Sequence, residues 1–218
     1  DLDPQASATK VVAIDAEERH TVADVMLEPE RFTLRDVIAA TEWGFDLAPS
    51  ETALASRESR RAPADEFILR RQVEHVNGYD AIFVDCPPSL GLLTINALAA
   101  ASRLIVITEP SFLALQGIEE LLDTTELVRA HYNGQLELAG VVVNRSERTL
   151  EHRQGAAEIE RYFGEAIAWR PYLAKRTVLQ DAIRRGTPVH RLPGRPAAEA
   201  GEAFARLADR MESARVVG

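Results

Sequence analysis

Three stretches of the chain are apolar without a polar interruption. Ala81-Ile82-Phe83-Val84 ends at Asp85, Leu104-Ile105-Val106-Ile107-Thr108 at Glu109-Pro110, and Leu138-Ala139-Gly140-Val141-Val142-Val143 at Asn144. Runs without alternation predict strands covered on both faces, as in a parallel sheet. Elsewhere the period changes. Ile118, Leu121, Leu122, Thr125 and Val128 fall on one face of an amphipathic helix. Ile159, Tyr162 and Phe163 predict a shorter helix, with Gly155 near its start, and Phe204, Leu207 and Met211 a C-terminal one. Strands alternating with helices predict an α/β fold: a doubly wound, mostly parallel sheet flanked by helices. Leu47-Ala48-Pro49-Ser50 reads as another short strand end, and residues 51–64 as a mobile connection with a basic Arg57, Arg60, Arg61 cluster. Gly186 to Pro196 lacks periodicity and reads as a loop. With 218 residues and 46% hydrophobic content, residues 1–218 are expected to form a single domain.

Ligands of such sheets bind beyond the carboxyl ends of the strands. Asp85, Glu109 and Asn144 occupy those ends, which predicts one site rather than three unrelated loop residues. A carboxylate that ends a buried strand suits Mg²⁺ in P-loop NTPases, often through water. Pro87 and Pro88 stiffen the turn after Asp85. Asp1-Leu2-Asp3-Pro4-Gln5 supplies a second carboxylate, Asp3, expected on a neighbouring strand end, where it would orient an attacking water or report a γ-phosphate. Taken singly, D-x-D-P is most often a surface turn and D-x-P-P is often structural. In this order, within an α/β pattern, the two are far more specific.

Charge adds a partner to the picture. The net charge is −9, yet residues 141–198 carry 11 Lys or Arg against 6 Asp or Glu, while residues 1–140 carry 11 against 24. A basic segment in an acidic chain is where a phosphate backbone would bind. A solvated arginine-rich face explains the same residues about equally well. The start of the chain has neither the basic nor the apolar region of a signal peptide, and no apolar run approaches membrane-spanning length. Cys86 is the single cysteine, which excludes an internal disulfide framework and fits a reducing cytoplasm. The five histidines have no metal-ligand spacing. Cys86, Trp43 and Trp169 read as packing residues.

D-L-D-P-Q followed by A-S-A-T, and V-D-C-P-P-S-L-G-L-L-T-I-N-A-L, resemble the ParA/Soj family of deviant-Walker ATPases. E-P-S-F-L-A-L-Q-G-I-E-E-L, G-V-V-V-N-R and, more loosely, R-T-V-L-Q-D-A-I-R-R-G-T-P-V extend the resemblance to about Met211. It implies a cytoplasmic, nucleoid-associated protein that binds ATP and Mg²⁺, forms a homodimer around nucleotide and binds nonspecific DNA. A ParB-like activating protein would then trigger slow hydrolysis. By resemblance Asp3 is the catalytic switch aspartate and shares the metal with Asp85, the Walker B residue. Asn144 matches the adenine-contacting asparagine of MinD-like members, Pro87 belongs to the nucleotide-site turn, and Asp1 supports the site. Lys175, Arg176, Arg184, Arg185, Arg191 and Arg195 are the DNA-binding candidates. For Arg184 and Arg185, complementing a helix C-terminal dipole is the bland reading.

The sequence also departs from the family. Its K-G-G-V-G-K-[ST] loop, expected roughly 25–30 residues before Asp1 together with the first strand, is absent from these 218 residues, so the chain reads as a fragment of a longer protein. Ala174-Lys175-Arg176 stands where the family usually has Pro before an Arg-Asn pair. Two alternatives follow: a MinD-like membrane-surface ATPase, disfavoured by the mixed charge of residues 203–218, and a noncatalytic ParA-like adaptor.

Overall fold

The computed structural model describes residues 1–59 and 62–215, which fall into two compact units. Arg60 and Arg61 of the expected basic cluster lie outside the described residues.

The first unit comprises residues 1–102 and 124–136. It contains α1 (Ser7–Val11), α2 (Val22–Leu27), α3 (Leu34–Val37), the antiparallel pair β1 (Ala39–Ala40) and β2 (Asp46–Leu47), a 3-10 helix (Thr52–Ser59), α4 (Ile68–Val73) and α5 (Leu92–Ala100). α2 and α3 are short, and each starts with a capping box, Thr21 with Asp24 and Thr33 with Asp36. Such reciprocal bonds satisfy N–H groups that have no partner within the helix. Leu2, Val25, Met26, Leu54, Leu69 and Leu93 pack one core. α5 is buried over most of its circumference, and its two buried polar residues, Thr94 and Asn96, are both hydrogen-bonded. The Asn96 side chain accepts from the Leu69 N–H (3.1 Å) and donates to the carbonyls of Asp65 (2.9 Å) and Leu92 (3.0 Å).

Two expectations fail in this unit. Residues 81–84 are not assigned to a strand, and Ile82 and Phe83 are exposed. An apolar run becomes a strand only by sharing a ladder with a neighbour, and among the described residues one backbone bond, Leu2 N–H to the Asp85 carbonyl, ties this run to another segment. Residues 52–59 are not a loose connection but a 3-10 helix, anchored by buried Leu54 and by an ion pair between Arg57 and Asp65, both almost wholly buried. Arg57 is therefore a core cation rather than part of a basic surface.

The second unit comprises residues 103–123 and 137–218. Its sheet has the order β3 (Arg103–Thr108), β4 (Glu137–Val143), β5 (Ala168–Trp169), all parallel. α6 (Ala114–His131), whose residues from Thr124 onward belong to the first unit, follows β3, α7 (Leu150–Ile167) follows β4, and then come α8 (Thr177–Arg184) and α9 (Arg195–Arg215). This is the α/β arrangement that the periodicities predict. α7 is longer than its apolar spacing suggests and is interrupted at Gly164, whose φ of 73° a residue with a Cβ adopts poorly. α9 begins inside the expected 186–196 loop, where Pro196 follows Arg195 in the first turn and a short 3-10 turn precedes it. Central β4 buries its last four residues, Gly140 to Val143.

Gly140 lies under the Trp169 indole, and a Cβ there would overlap the ring. Gly140→Ala is therefore expected to lower stability by about 2 kcal/mol through overpacking. The urea midpoint checks this, with the near-ultraviolet signal of Trp169 changing in the same variant.

Candidate functional site

The site starts from a backbone bond. Leu2 is 1% exposed in the first core, and its N–H donates to the Asp85 carbonyl at 2.8 Å. Anchoring Leu2 inward brings the residues beside it, Asp1 and Asp3, next to the Asp85 turn. The Asp85 carboxyl is held above its ordinary range, chiefly by partial burial, and the Asp3 charge adds to the shift.

The two aspartates of the first motif do different work. Asp1 is committed within the protein: one carboxylate oxygen accepts from the Thr9 N–H (2.9 Å) and hydroxyl (2.8 Å), the other from the Asp3 N–H (3.2 Å). Asp3 accepts from the Gln5 N–H (2.8 Å), closing an Asx turn. Ala6, at φ 54°, ends that turn, and α1 follows. Buried Ser50 locks the arrangement from outside. Its N–H donates to the Thr9 hydroxyl (2.9 Å) and its own hydroxyl donates to the Asp3 carbonyl (2.8 Å). Thr9 and Ser50 are absent from the sequence-derived site, and nothing in their spacing marks them.

The donor set fits Mg²⁺. Two neighbouring carboxylates are hard oxygen donors, and Mg²⁺ usually takes one or two of these and fills its octahedron with water and phosphate oxygens. The Asp3 charge makes a minor contribution to raising the Asp85 carboxyl, and a bound cation would offset it. Among the described residues no three His, Cys, Asp or Glu side chains cluster as an all-protein metal cage would require. Pro87 and Pro88 follow in the turn. Cys86 is half-buried against the first core, and burial, with the Asp85 charge, raises its thiol to about 11, as befits a packed residue.

In the second unit, Glu109 and Asn144 follow neighbouring strands, β3 and β4, and the Asn144 N–H donates to the Thr108 carbonyl (2.8 Å). The Asn144 side-chain oxygen accepts from the Arg145 N–H (2.9 Å), and the Arg145 guanidinium pairs with Glu109 at 3.2 Å. The expected shared rim thus holds for Glu109 and Asn144. Asp85 belongs to the other unit, in a run that is not a strand.

The basic candidates are mostly ion-paired. Lys175 meets Glu147 (2.8 Å), Arg184 meets Asp181 (3.2 Å), and Arg176 and Arg195 share Glu199 (2.9 and 2.8 Å). Arg185 and Arg191 are exposed. Arg184 ends α8 and Arg185 caps it, so the helix-dipole reading and a phosphate-binding reading share one geometry.

The parallel sheet flanked by helices defines the class: an α/β fold of the P-loop NTPase kind. The AAA domain family model matches residues 1–138. The chromosome-partitioning ATPase Soj of Thermus thermophilus is 35% identical over 211 residues, 96% of this chain and 80% of that protein. The sporulation initiation inhibitor protein Soj of Bacillus subtilis is 34% identical over 195 residues, 87% of this chain and 76% of that protein. Among solved structures, cobyrinic acid a,c-diamide synthase of Mycobacterium smegmatis, with a bound ATP analogue and magnesium, superposes with a TM-score of 0.72 at 28% identity, covering 81% of this chain and 73% of that one. The McdA–ATP complex from Cyanothece reaches 0.78 at 16% identity, 94% of this chain and 83% of that one, a likeness of fold alone. The chain belongs to the ParA/Soj family of partitioning ATPases.

Proposed function

We propose that this chain is the main part of a ParA-type ATPase that binds ATP with Mg²⁺, dimerises, binds DNA without sequence preference and leaves it after hydrolysis stimulated by a ParB-like partner. The cycle would serve chromosome or plasmid partitioning, or the positioning of another cargo. The observation that carries the reading is the Leu2–Asp85 backbone bond, which sets two acidic side chains on adjacent segments. The Thermus relative, a chromosome-partitioning ATPase, and the ATP analogue and magnesium of the mycobacterial structure support the reading.

In this reading Asp85 would hold the Mg²⁺ of the nucleotide. Asp3, steadied through its carbonyl by Ser50 and through its side chain by Gln5, orients the attacking water. Asp1 and Pro87 keep the two turns in place, and Asn144 reads the base. Bound Mg²⁺ supplies charge neutralisation on the phosphates. Catalysis would be by positioning and charge, and turnover slow, as suits a timer rather than a metabolic enzyme.

DNA would meet the basic residues of α8 and the segments flanking it. Their ion pairs are exposed, and such pairs are worth about 0–1 kcal/mol each, so phosphates can displace the carboxylates. Arg185, exposed at the C-terminal end of α8, is the candidate tested below. No helix among the described residues is long and apolar enough to cross a membrane.

The test is ATP hydrolysis by the full-length gene product, with and without DNA and liposomes. Slow, Mg²⁺-dependent hydrolysis and ATP-dependent DNA binding are expected, with no effect of liposomes. Stimulation by liposomes but not DNA favours the membrane-surface alternative, and absence of any nucleotide dependence removes the ATPase reading. Arg185→Ala should lower the slope of log affinity against log salt by about 2, one phosphate contact from each subunit of a dimer. An unchanged slope excludes Arg185 from the interface.

A further inference from the structure

Gly91 is the N-cap residue of α5 and offers no side chain to the helix end. The N–H groups of the first turn are satisfied from 34 residues away. The Glu58 carboxylate accepts from the Leu92 N–H (2.7 Å) through one oxygen and from the Leu93 N–H (3.2 Å) through the other. A Cβ on residue 91 would overlap this carboxylate, so a larger residue there would displace the Glu58 tip from the helix end. A charged acceptor at a helix start is favoured twice, by its hydrogen bonds and by the helix dipole.

Glu58 sits on a fixed element. The 3-10 helix that carries it buries Leu54 completely and pairs Arg57 with Asp65 in the core. Just before that helix, Ser50 donates to the Asp3 carbonyl and bonds Thr9, the residue that holds Asp1. Just beyond Glu58's contact lies the turn from Asp85 to Gly91, where the Ser89 carbonyl accepts from the Thr94 hydroxyl (2.6 Å). One segment, residues 50–58, is therefore bonded at its start to the Asp3 turn and at its end to the helix that follows the Asp85 turn.

We propose that Glu58 is a positioning residue that sets the Asp85 turn relative to Asp3, so that both carboxylates address one hydrated metal–nucleotide complex. The proposal rests on the ATPase reading for its functional half and on geometry alone for its capping half.

Two measurements on the full-length protein test it, using Glu58→Gln, which keeps one acceptor, and Glu58→Ala, which removes both. The first is amide hydrogen exchange without nucleotide. The Leu92 and Leu93 amides are expected to exchange faster in Glu58→Ala and by an intermediate amount in Glu58→Gln, while amides of α2 keep their parental rates. The second is the Mg²⁺ concentration for half-maximal ATP hydrolysis, expected to rise about tenfold in Glu58→Ala, the usual size of an outer-shell effect on a metal. ATP affinity without Mg²⁺ should stay at the parental value. Parental exchange at Leu92 and Leu93 overturns the cap. Faster exchange with a parental Mg²⁺ requirement overturns the positioning role and leaves Glu58 a stability residue. A parental protein that does not hydrolyse ATP removes the ATPase reading, and with it the positioning role, while the exchange result still decides the cap.

Discussion

Full-length protein carrying Asp3→Ala should bind ATP and Mg²⁺ yet hydrolyse the nucleotide about a hundredfold more slowly, the low end of what a positioned acid–base group contributes. The substitution leaves the backbone contacts of residue 3 in place, because the Asp3 carbonyl accepts from Ser50 and Ala6 whatever the side chain. It removes the Asx bond to Gln5 and the charge that helps raise the Asp85 carboxyl. With hydrolysis blocked, the ATP-bound dimer should accumulate on DNA and release slowly after dilution. Normal turnover by Asp3→Ala, measured as phosphate release under saturating ATP, would remove Asp3 from the reaction.

Asp65→Asn should cost about 3 kcal/mol, read from the urea midpoint at neutral pH. Arg57 and Asp65 are 5% and 8% exposed, and breaking a buried pair leaves its other charge uncompensated. Burial pushes the Asp65 carboxyl up. Hydrogen bonds from Arg57 and the Ala62 N–H, with the charges of Arg57 and Arg71, outweigh burial and hold it below the usual carboxylate range. The stabilisation is therefore fully present above the carboxyl's unfolded value and is lost as the pH falls through the lowered folded one. The parental midpoint should drop on acidification through that window, and the Asn variant should lack this component. An Arg57→Met, Asp65→Leu double variant should recover most of the loss, since well-packed apolar replacements of a buried pair are often neutral. Failure to recover would assign the pair a geometric role in holding the 3-10 helix.

What the sequence could say depended on whether a signal was local. The β3 and β4 runs are legible because each fills a strand that is paired in the sheet, and α6 because its apolar face repeats every three to four residues. Residues 81–84 have the same apolar character and yet no ladder, because pairing depends on a neighbour that composition does not reveal. Asp3 and Asp85 stand out by motif. Glu58, Thr9 and Ser50 do not, because their partners lie 34 to 47 residues away or, for Thr9 and Asp1, across a tight turn. One weak clue was available: Gly91 opens an apolar helix without a side-chain cap of its own, which leaves its first N–H groups to water or to a distant residue. Arg57 misled for the opposite reason, since a cation near Arg60 and Arg61 looks like surface until its carboxylate partner is known.

Cys86 has a practical consequence. With its thiol raised to about 11, only about one molecule in ten thousand carries the reactive thiolate at neutral pH. Maleimide dyes and mild oxidants should pass it over. A second thiol introduced by design, for example Ser213→Cys on the exposed side of α9, could then carry a fluorophore with little background from the 218 residues of this chain, and the native cysteine need not be removed from its place beside Asp85.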